Sequence, residues 1–351
     1  MKKLAVIIAV GILVFTFFLR CSSGPSGQQE FSVLQINIWQ EGTMVPKGYD
    51  AIIDEIIDKD PDIVTFSEIR NYQDTDFIAR VLASLKEKGA KYYGESSRPG
   101  IDVGVVSKFP VVAQEPLYEK EKQVASVLKT TLQVDELEVL LYSAHLDYTH
   151  YACYLPRGYN GATWEKMDSI ITDPEVILTA NRESTRAESM EDILRDVELQ
   201  NPEAFIMVAG DFNEPSHLDW AEDTRDLYDH NGAVVPWDCS MMLAQSGFRD
   251  AYRVIYPSAV THPGFTFPSY NPDVDIKELA WAPASDERDR IDFIYYLPHP
   301  MVKLEQIHVV GPEETVSFGK EQKGDSEDEF LLPKGVWPSD HKGMLAQFKV
   351  L

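Results

Sequence analysis

The sequence predicts a layered α/β fold whose β-sheets are partly antiparallel. Short apolar runs of strand type recur along the chain, and amphipathic helical patterns lie between several of them. The adjacent runs 126–134 and 138–144 are joined by Asp135-Glu136, which predicts a β-hairpin. Hairpins mixed with strand–helix–strand units are typical of layered α/β proteins. Because no repeat or low-complexity linker follows residue 30, we predict one domain over residues 31–351.

Each predicted strand is an apolar or alternating run bounded by polar or turn-forming residues. In chain order, these strands are Phe31–Ile38, Ile63–Phe66, Val103–Val106, Ser126–Val134, Glu138–Ala144, Ala204–Ala209, Ile291–Leu297, Val302–Val310 and Gly343–Val350. Helical patterns cover Tyr49–Lys59, where four isoleucines lie on one face, Asp74–Lys88 and Asn181–Leu199. We predict loop insertions at about 147–180, 214–286 and 311–338.

The first 20 residues have the pattern of a signal peptide. A basic start, Lys2-Lys3, precedes an uncharged run from Leu4 to Leu19. That run is shorter than the roughly 20 residues that a membrane-spanning helix needs, but it suits the apolar core of a signal peptide. We therefore predict a signal peptide at 1–20, followed by a flexible linker at 21–30 that is rich in serine and glycine.

Cys21 lies at the junction of these two segments. A cysteine followed by such a linker resembles a bacterial lipoprotein, which would be anchored to the membrane by a lipid on Cys21. Arg20 departs from that pattern, because a small residue is expected just before the cysteine. An uncleaved anchor and plain secretion therefore stay open. In all three cases we expect the rest of the chain outside the cytoplasm, as a periplasmic or cell-surface lipoprotein or as a secreted protein.

Composition excludes several classes of protein. With 44% apolar and 25% charged residues, the chain has the composition of a globular protein. Its 32 basic and 57 acidic residues give a net charge of −25, which argues against a protein that coats nucleic acid, although a local basic patch stays open. Three cysteines exclude a disulfide scaffold and a four-cysteine zinc site. Cys153 and Cys239 would either form a disulfide or remain two buried thiols.

Side chains suited to catalysis stand at the ends of the predicted strands. They are Asn37, Glu68, His145, Asp211, Asn213, Asp292, Asp340 and His341. Taken singly, each has a plain structural interpretation as a turn residue, a helix cap or a structural histidine. Their joint occurrence indicates a site, because strand ends hold side chains rigidly while leaving them open to a cleft.

The residue types indicate the chemistry of that site. Glu68, Asn37 and Asp340 offer hard oxygen ligands, which suit Mg²⁺, Mn²⁺ or Ca²⁺ better than zinc. Histidines act as bases or cations near neutral pH, and a carboxylate such as Asp292 beside His341 would fix its tautomer. We find no nucleophile elbow with a serine, histidine and acid, and Ser339 is the nearest candidate. The set therefore predicts direct attack of water on a phosphoester.

Four motifs carry a family resemblance over most of the chain. They are Pro61-Asp62-Ile63-Val64 leading to Glu68, the strand and turn from Val103 to Pro110, Gly210-Asp211-Phe212-Asn213, and Ser339-Asp340-His341. In this order they resemble the endonuclease/exonuclease/phosphatase superfamily, which includes deoxyribonuclease I, abasic-site endonucleases, bacterial sphingomyelinases and inositol polyphosphate 5-phosphatases. The resemblance implies a four-layer α/β sandwich with two facing mixed β-sheets and a site at one end.

The resemblance also implies a role for each residue. Glu68 would be the principal ligand of Mg²⁺, or of Mn²⁺ or Ca²⁺, with Asn37 and Asp340 near the metal. The number of metal ions stays open. Asp211 would orient the attacking water, and Asn213 would bind phosphoryl oxygens.

The two histidines would act on the phosphate. His341, paired with Asp292, would act as general base or hold the phosphate. His145 would stabilise the charge that develops on the phosphate and the leaving oxygen, and Asp102 is a candidate to support it.

Aromatic loops replace the basic DNA-binding loops of the family's nucleases. We name His150, Tyr151, Arg157 and His217 as candidate substrate residues. For the aromatic loops, packing, contact with a small ligand and stacking on bases all stay open. Arg182 and Arg186 would bind a second phosphate or lie as solvated helix residues.

We therefore expect an exported, metal-dependent phosphoesterase. Its substrate would be a small phosphomonoester or phosphodiester, such as a lipid-headgroup or sugar-linked phosphate, and the protein would be a monomer. The alternatives are an extracellular nuclease, which needs a basic rim, and an inactive surface binding protein on the same scaffold.

Overall fold

The computed structural model describes residues 29–98, 100–117, 125–324 and 326–351, and in them two six-stranded mixed sheets form. The predicted signal peptide, Cys21 and most of the predicted linker lie outside the described residues. Among the helices of the described part of the chain, none is long and apolar enough to cross a membrane.

The strands include every run predicted from the sequence. In chain order they are β1 (Glu30–Asn37), β2 (Ile63–Ser67), β3 (Val103–Ser107), β4 (Val111–Pro116), β5 (Ser126–Val134), β6 (Leu137–His145), β7 (Phe205–Asp211), β8 (Arg249–Asp250), β9 (Asp292–Tyr296), β10 (Val302–Val310), β11 (Thr315–Ser317), β12 (Lys320–Gln322), β13 (Phe330–Leu331) and β14 (Gly343–Val350). The helices are α1 (Gly48–Lys59), α2 (Phe77–Glu87), α3 (Pro174–Asn181), α4 (Arg186–Val197), α5 (Asp238–Gln245) and α6 (Ala251–Ile255).

Both large sheets mix parallel and antiparallel pairs. The first has the order β13-β10-β14-β1-β2-β3, with β1 parallel to β2 and antiparallel to β14. The second has the order β4-β5-β6-β7-β9-β8, with β6 parallel to β7. The predicted hairpin is present as β5 and β6. β11 and β12 form a separate two-stranded sheet.

The apolar core consists of three layers of packed side chains, one between the two sheets and one between each sheet and the helices that cover it. Buried residues such as Val33 of the first sheet and Met207 of the second pack together between the sheets. Helices α1 and α2 cover the outer face of the first sheet, where Ile52 contributes to the core, and α4 and α5 cover the second, where Ile193 does so. Burying one face of each helix and both faces of each sheet gives four layers. The predicted four-layer sandwich with two facing mixed sheets is therefore confirmed.

The predicted helix over Asn181–Leu199 is present as α4 but starts later than predicted. α4 begins at Arg186, and Asn181 is instead the last residue of α3. The break has a local cause, since the Asp147 carboxylate accepts hydrogen bonds from the Thr185 N–H at 2.9 Å and from the Thr185 hydroxyl at 3.0 Å. A carboxylate from another segment thus holds the start of α4.

Two of the predicted loop insertions build a hydrophobic cluster of their own. Buried Tyr154 from the first insertion packs with Trp220 and Trp237 from the second. This cluster lies apart from the three core layers. It fixes the loops that border the candidate site, so these long segments are ordered by their own apolar contacts.

Candidate active site

The second sheet aligns three of the predicted site residues. The parallel register of β6 and β7 pairs His145 with Asp211, and the antiparallel register of β7 and β9 pairs Asp211 with Asp292. Gly210 permits this alignment, because a Cβ at Gly210 would lie 1.8 Å from the carbonyl oxygen of Ala144. Only glycine lets the two strands come this close.

The first sheet brings the remaining residues to the same end. β1 and β2 run parallel and end together at Asn37 and Ser67, so Glu68 follows directly. β3 runs antiparallel and pairs Val103 with Ser67, which places Asp102 at this end too.

Two histidine–carboxylate pairs face Asp211. His341 Nδ1 lies 2.9 Å from Asp292 Oδ2, and His145 Nδ1 lies 2.9 Å from Asp102 Oδ2. The opposite ring nitrogens, Nε2 of His341 and of His145, lie 3.8 Å and 3.9 Å from Asp211 Oδ2. Each carboxylate therefore orients its ring so that Nε2 faces the shared aspartate.

The same carboxylates set the charge of the rings. Burial alone would lower the pKa of His145, but the negative charge and hydrogen bond of Asp102 outweigh it and raise that pKa to about 9. Burial opposes the charge of His341 in the same way, and Asp292 and Asp211 raise its pKa to about 10. Both imidazoles are thus favoured as cations, which suits contact with phosphate oxygens.

Asn37 links two of the site carboxylates by donating hydrogen bonds to both through its amide nitrogen. Its Nδ2 donates to Asp211 Oδ2 at 2.9 Å and to Glu68 Oε1 at 3.2 Å. Its Oδ1 accepts the Trp39 N–H at 2.9 Å. The Asn37 carbonyl oxygen is therefore turned to the backbone, and metal binding by Asn37 stays a prediction.

Glu68 is held in place by a strained turn. Its φ angle is 71°, which is rare for a residue with a side chain, and its Oε2 accepts the Gln40 N–H at 3.0 Å. The buried Glu41 carboxylate supports the turn, since its Oε1 accepts the N–H groups of Arg70 at 2.9 Å and Asn71 at 2.6 Å.

Arg70 is a site residue that the sequence analysis missed. Its guanidinium lies 3.3 Å from Glu68 Oε2 and 2.7 Å from Asp102 Oδ2, so it links the predicted metal ligand to the carboxylate behind His145. The only signal in the sequence was its position two residues after Glu68.

Asp340 has the features of a cation ligand. It is buried, and its Oδ1 has no hydrogen-bond partner among the described residues. Burial, opposed by His341 and reinforced by Glu68, raises the pKa of Asp340 to about 7. A buried carboxylate oxygen without a partner is costly unless a cation binds it. Asp340 and Glu68 therefore fit a hard divalent metal.

A second group of possible ligands is already engaged. Asp211, Asp292 and His341 offer ligand atoms within 4.8 Å of one another. However, Asp292 and His341 are hydrogen-bonded to each other, and Gln35 Nε2 donates to Asp292 Oδ1 at 3.0 Å. Asp211 and His341 both line the cleft, whereas Asp292 lies behind His341.

Asn213 continues the site beyond β7. Its N–H donates to Asp211 Oδ1 at 2.9 Å, and its Nδ2 donates to the Leu146 carbonyl at 3.1 Å. It lines the same cleft as Asp211, with a second amide hydrogen available to a ligand.

These groups form one side of a cleft of about 330 Å³. Five aromatic side chains also line it, and we call them the aromatic wall: Tyr148, Tyr151, Tyr154, Trp164 and Trp281. The cleft is of the size that takes a small ligand.

Of the four predicted substrate residues, only Tyr151 is among the described residues that line this cleft. Arg157 is a correction, because its buried guanidinium pairs with Asp289 and donates to the Arg288 carbonyl. A buried cation needs such a partner, so Arg157 has a structural role.

His150 and His217 also have local partners. His150 Nδ1 lies 3.2 Å from Thr149 Oγ1, and His217 Nδ1 lies 2.9 Å from Ser240 Oγ. The structure does not place either ring in the cleft lining, which corrects the prediction that they are substrate residues.

Neither arginine proposed for a second phosphate lines the cleft. Arg186 is buried and donates to the carbonyls of Asp147, Thr149 and His150 at 2.5 to 2.9 Å, so it holds the loop after His145. Arg182 is exposed and pairs with Asp238 at 2.7 Å.

The two interior cysteines are separate buried thiols. Cys153 and Cys239 are both free, and burial raises the pKa of each thiol. Of the two predicted alternatives, the structure has the unpaired one.

Comparison with known proteins extends these observations. The Caenorhabditis elegans protein named Uncharacterized protein F14F9.5 is 26% identical over 351 residues, which cover 96% of this chain and 97% of that protein. Among solved structures, D. rerio TDP2 complexed with single strand DNA product is 14% identical with a TM-score of 0.52, covering 91% of this chain and 98% of that chain. The human Nocturnin catalytic domain with bound sulfate anion is 16% identical with a TM-score of 0.52, covering 92% and 95%.

At these identities the likeness to solved structures shows the fold alone. A family model described as "Endonuclease/Exonuclease/phosphatase family" matches residues 34–341. That range contains all the strand ends that meet at the cleft, from Asn37 to His341. The chain therefore belongs to the endonuclease/exonuclease/phosphatase family.

Proposed function

We propose that this chain is a divalent-metal-dependent hydrolase of small phosphoesters in which water attacks phosphorus directly. Hydrolysis of phosphoesters, generally with a divalent metal, is the activity of its family. The observation that carries the proposal is the convergence of two histidine–carboxylate pairs on Asp211, beside Glu68 and a buried Asp340 oxygen that has no partner among the described residues.

Glu68 and Asp340 would hold the metal, with Mg²⁺ or Mn²⁺ as the ions that suit their oxygen atoms best. A bound divalent ion would neutralise negative charge on the phosphoryl oxygens. Asn37 is a positioning residue, since it donates to both Asp211 and Glu68.

Two residues of the chain would make the proton transfers. Asp211 would orient the water and take its proton, and burial, which raises the pKa of Asp211, makes it a better base. The water oxygen forms a bond to phosphorus as the bond from phosphorus to the alcohol oxygen breaks. His145 would give its proton to the departing oxygen, while His341 and Asn213 would bind the other phosphoryl oxygens.

Charge supports a small substrate rather than a polynucleotide. The net charge of −25 repels a long polyanion. Among the described residues that line the cleft, one arginine and no lysine is present. The site therefore lacks a basic track for a nucleic-acid backbone in the part of the chain that the structure describes.

A panel of three substrates tests this function. We would compare hydrolysis of bis(p-nitrophenyl) phosphate, p-nitrophenyl phosphate and plasmid DNA in Mg²⁺, in Mn²⁺ and in EDTA. We expect metal-dependent cleavage of a small ester and little nicking of the plasmid.

His341→Ala should abolish turnover, and His299→Ala, which changes a histidine outside the cleft lining, is the matched control. Rapid nicking would instead favour a nuclease. Absence of turnover together with absence of Mg²⁺ binding would favour an inactive binding protein.

We also propose that the protein is exported, on the basis of the sequence pattern of residues 1–20 and Cys21. Fractionation of a bacterial host, with palmitate labelling of wild type and Cys21→Ala, tests this. Label in wild type that is lost in Cys21→Ala would support lipidation. Unlabelled protein of full length in the cytoplasm would contradict export.

A further inference from the structure

Strand β1 directs two amide side chains across the interface between the sheets. Gln35 and Asn37 are two positions apart on the strand, so their side chains point to the same face. The Asn37 Nδ2 donates to Asp211 Oδ2 at 2.9 Å, and the Gln35 Nε2 donates to Asp292 Oδ1 at 3.0 Å. Each amide of the first sheet therefore reaches one aspartate of the second sheet.

The two aspartates that accept these hydrogen bonds are direct neighbours. The antiparallel register of β7 and β9 pairs Asp211 with Asp292, and both side chains are buried. Like charges on directly opposite strand residues repel each other, and the repulsion is stronger where water is excluded. A hydrogen bond donated to each carboxylate offsets part of that cost.

The two oxygens of Asp292 have different partners. Oδ2 lies 2.9 Å from His341 Nδ1, and Oδ1 accepts the hydrogen bond of Gln35. The terminal torsion of an aspartate side chain is broad, so a carboxylate held at one oxygen is free to turn, and the imidazole bound to it would turn as well. Because Gln35 holds the second oxygen from the opposite sheet, it fixes the plane of the carboxylate.

Packing alone does not explain a glutamine at this position. Gln35 is 0% exposed, yet its Oε1 has no hydrogen-bond partner among the described residues. A buried polar atom without a partner is unfavourable. Phe31 and Val33, which precede it on the same face of β1, are apolar and belong to the core between the sheets. The hydrogen bond to Asp292 is the interaction that a glutamine adds to this pattern.

We propose that Gln35 is a positioning residue, which fixes the Asp292 carboxylate and thereby aims His341 Nε2 at the phosphate. This inference rests on the proposed function and adds a residue to the same site. Gln35 is not among the described residues that line the cleft, so it acts on the phosphoester through Asp292 and His341.

Gln35→Met tests this role, because it removes the donor while keeping the length of the side chain. We expect kcat for bis(p-nitrophenyl) phosphate to fall by about tenfold or more while KM changes by less than about twofold, since a misdirected imidazole weakens the transition state more than substrate binding. Gln114→Met is the matched control. Gln114 is also buried and donates to Thr130 Oγ1 at 3.1 Å, but it lies outside the cleft lining. Equal kcat in wild type and Gln35→Met would overturn the proposal.

A double variant separates a role through Asp292 from a general loss of packing. If Gln35 acts through Asp292, Gln35→Met should lower kcat by less than about twofold in the Asp292→Asn background. The full loss in that background would overturn the proposal. Should Gln35→Met fail to fold, Gln35→Asn keeps an amide but shortens the side chain by one methylene, and we expect the same fall in kcat. Wild-type kcat in Gln35→Asn would then overturn the proposal.

Proton NMR makes the test independent of turnover. The Nδ1 protons of His341 and His145, each held to a carboxylate, should give separate low-field resonances that are assigned by their loss in His341→Ala and His145→Ala. We expect Gln35→Met to shift the His341 resonance and to leave the His145 resonance in place, whereas Gln114→Met should move neither. An unchanged His341 resonance in Gln35→Met would overturn the proposal.

The two measurements also separate this role from the proposed function. If the His341 resonance responds to Gln35→Met and wild type hydrolyses no ester, the proposed function fails and the positioning of the ring stands. If wild type hydrolyses esters and Gln35→Met changes neither kcat nor the resonance, the positioning role fails and the proposed function stands.

Discussion

At the scale of single residues, carboxylates fix the orientation and the charge of the two site histidines. Asp292 and Asp102 each bind the Nδ1 side of a ring at 2.9 Å, so both Nε2 atoms are directed to Asp211. The pairs are buried, which makes each charge costly to leave alone. The removal of one carboxylate should therefore change the protonation and orientation of its ring.

Asp292→Asn tests that dependence. The amide keeps the shape of the side chain but removes the charge that raises the pKa of His341, so His341 should lose its proton at a lower pH. We expect kcat to fall by about 100-fold or more, with a smaller change in KM, and the alkaline limb of the pH profile to move to lower pH. Asp238→Asn, a change outside the cleft lining, is the control, and an unchanged pH profile in Asp292→Asn would contradict the assignment.

At the scale of secondary-structure elements, the close pairing of β6 and β7 aligns the site. Gly210→Ala would place a Cβ 1.8 Å from the Ala144 carbonyl oxygen, and backbone on both sides must then move. We expect a loss of more than about 3 kcal/mol in the free energy of unfolding. Gly335→Ala is the matched control, since its Cβ would meet nothing within 4 Å and should change stability by less than about 0.5 kcal/mol. Urea denaturation measures both, and equal stability of the two variants would contradict this account of the pairing.

Helix α1 contains a buried carboxyl group, outside the candidate site, that makes the stability of the protein depend on pH. Burial raises the pKa of Glu55 to about 7, although Lys59 lies 3.6 Å away and opposes the rise. The pKa of Glu55 is therefore higher in the folded protein than the value of 4.5 that it has in the unfolded chain. The resulting stabilisation of the folded state is fully present below pH 4.5 and is lost as the pH rises through about 7. The difference is on the order of 3 kcal/mol.

Glu55→Gln should remove this dependence. We expect the variant to gain stability relative to wild type between pH 5 and pH 8, as measured by urea denaturation at both values. Asp54→Asn changes the exposed neighbouring carboxylate and should show a smaller difference between the two pH values. If the difference in unfolding free energy between wild type and Glu55→Gln were the same at pH 5 and pH 8, the burial of this charge would be contradicted.

At the scale of the whole molecule, the acidic surface sets the sign of a salt effect. A nuclease that binds backbone phosphates through lysine and arginine loses affinity as salt rises. With a net charge of −25, this protein should behave in the opposite way. We would measure the rate of oligonucleotide cleavage relative to the rate of p-nitrophenyl ester cleavage at 0.05 and 0.5 M salt. This ratio should rise with salt, because salt screens the repulsion between the protein and the oligonucleotide. A decline with salt would indicate a basic nucleic-acid track.

Much of the fold could be predicted because its strands are buried, apolar and bounded by clear turns. Five strands were not predicted. β8, β11, β12 and β13 have only two or three residues, which leave no periodic pattern, and β4 has mostly partly exposed side chains instead of an apolar run. The convergence of the site followed from polar residues at strand ends. By contrast, Arg157 and Asp289 are 132 positions apart, so their pairing depends on tertiary packing that no local pattern encodes. The same reason explains why the role of Arg70 was not predicted.

The most direct test of the central claim is the Mg²⁺-dependent hydrolysis of bis(p-nitrophenyl) phosphate by wild type and Asp211→Asn. We predict turnover in wild type that EDTA abolishes, and a loss of about 100-fold or more in Asp211→Asn with the fold retained by circular dichroism. Turnover of wild type that persists in EDTA, or equal turnover of the two proteins in Mg²⁺, would contradict the account.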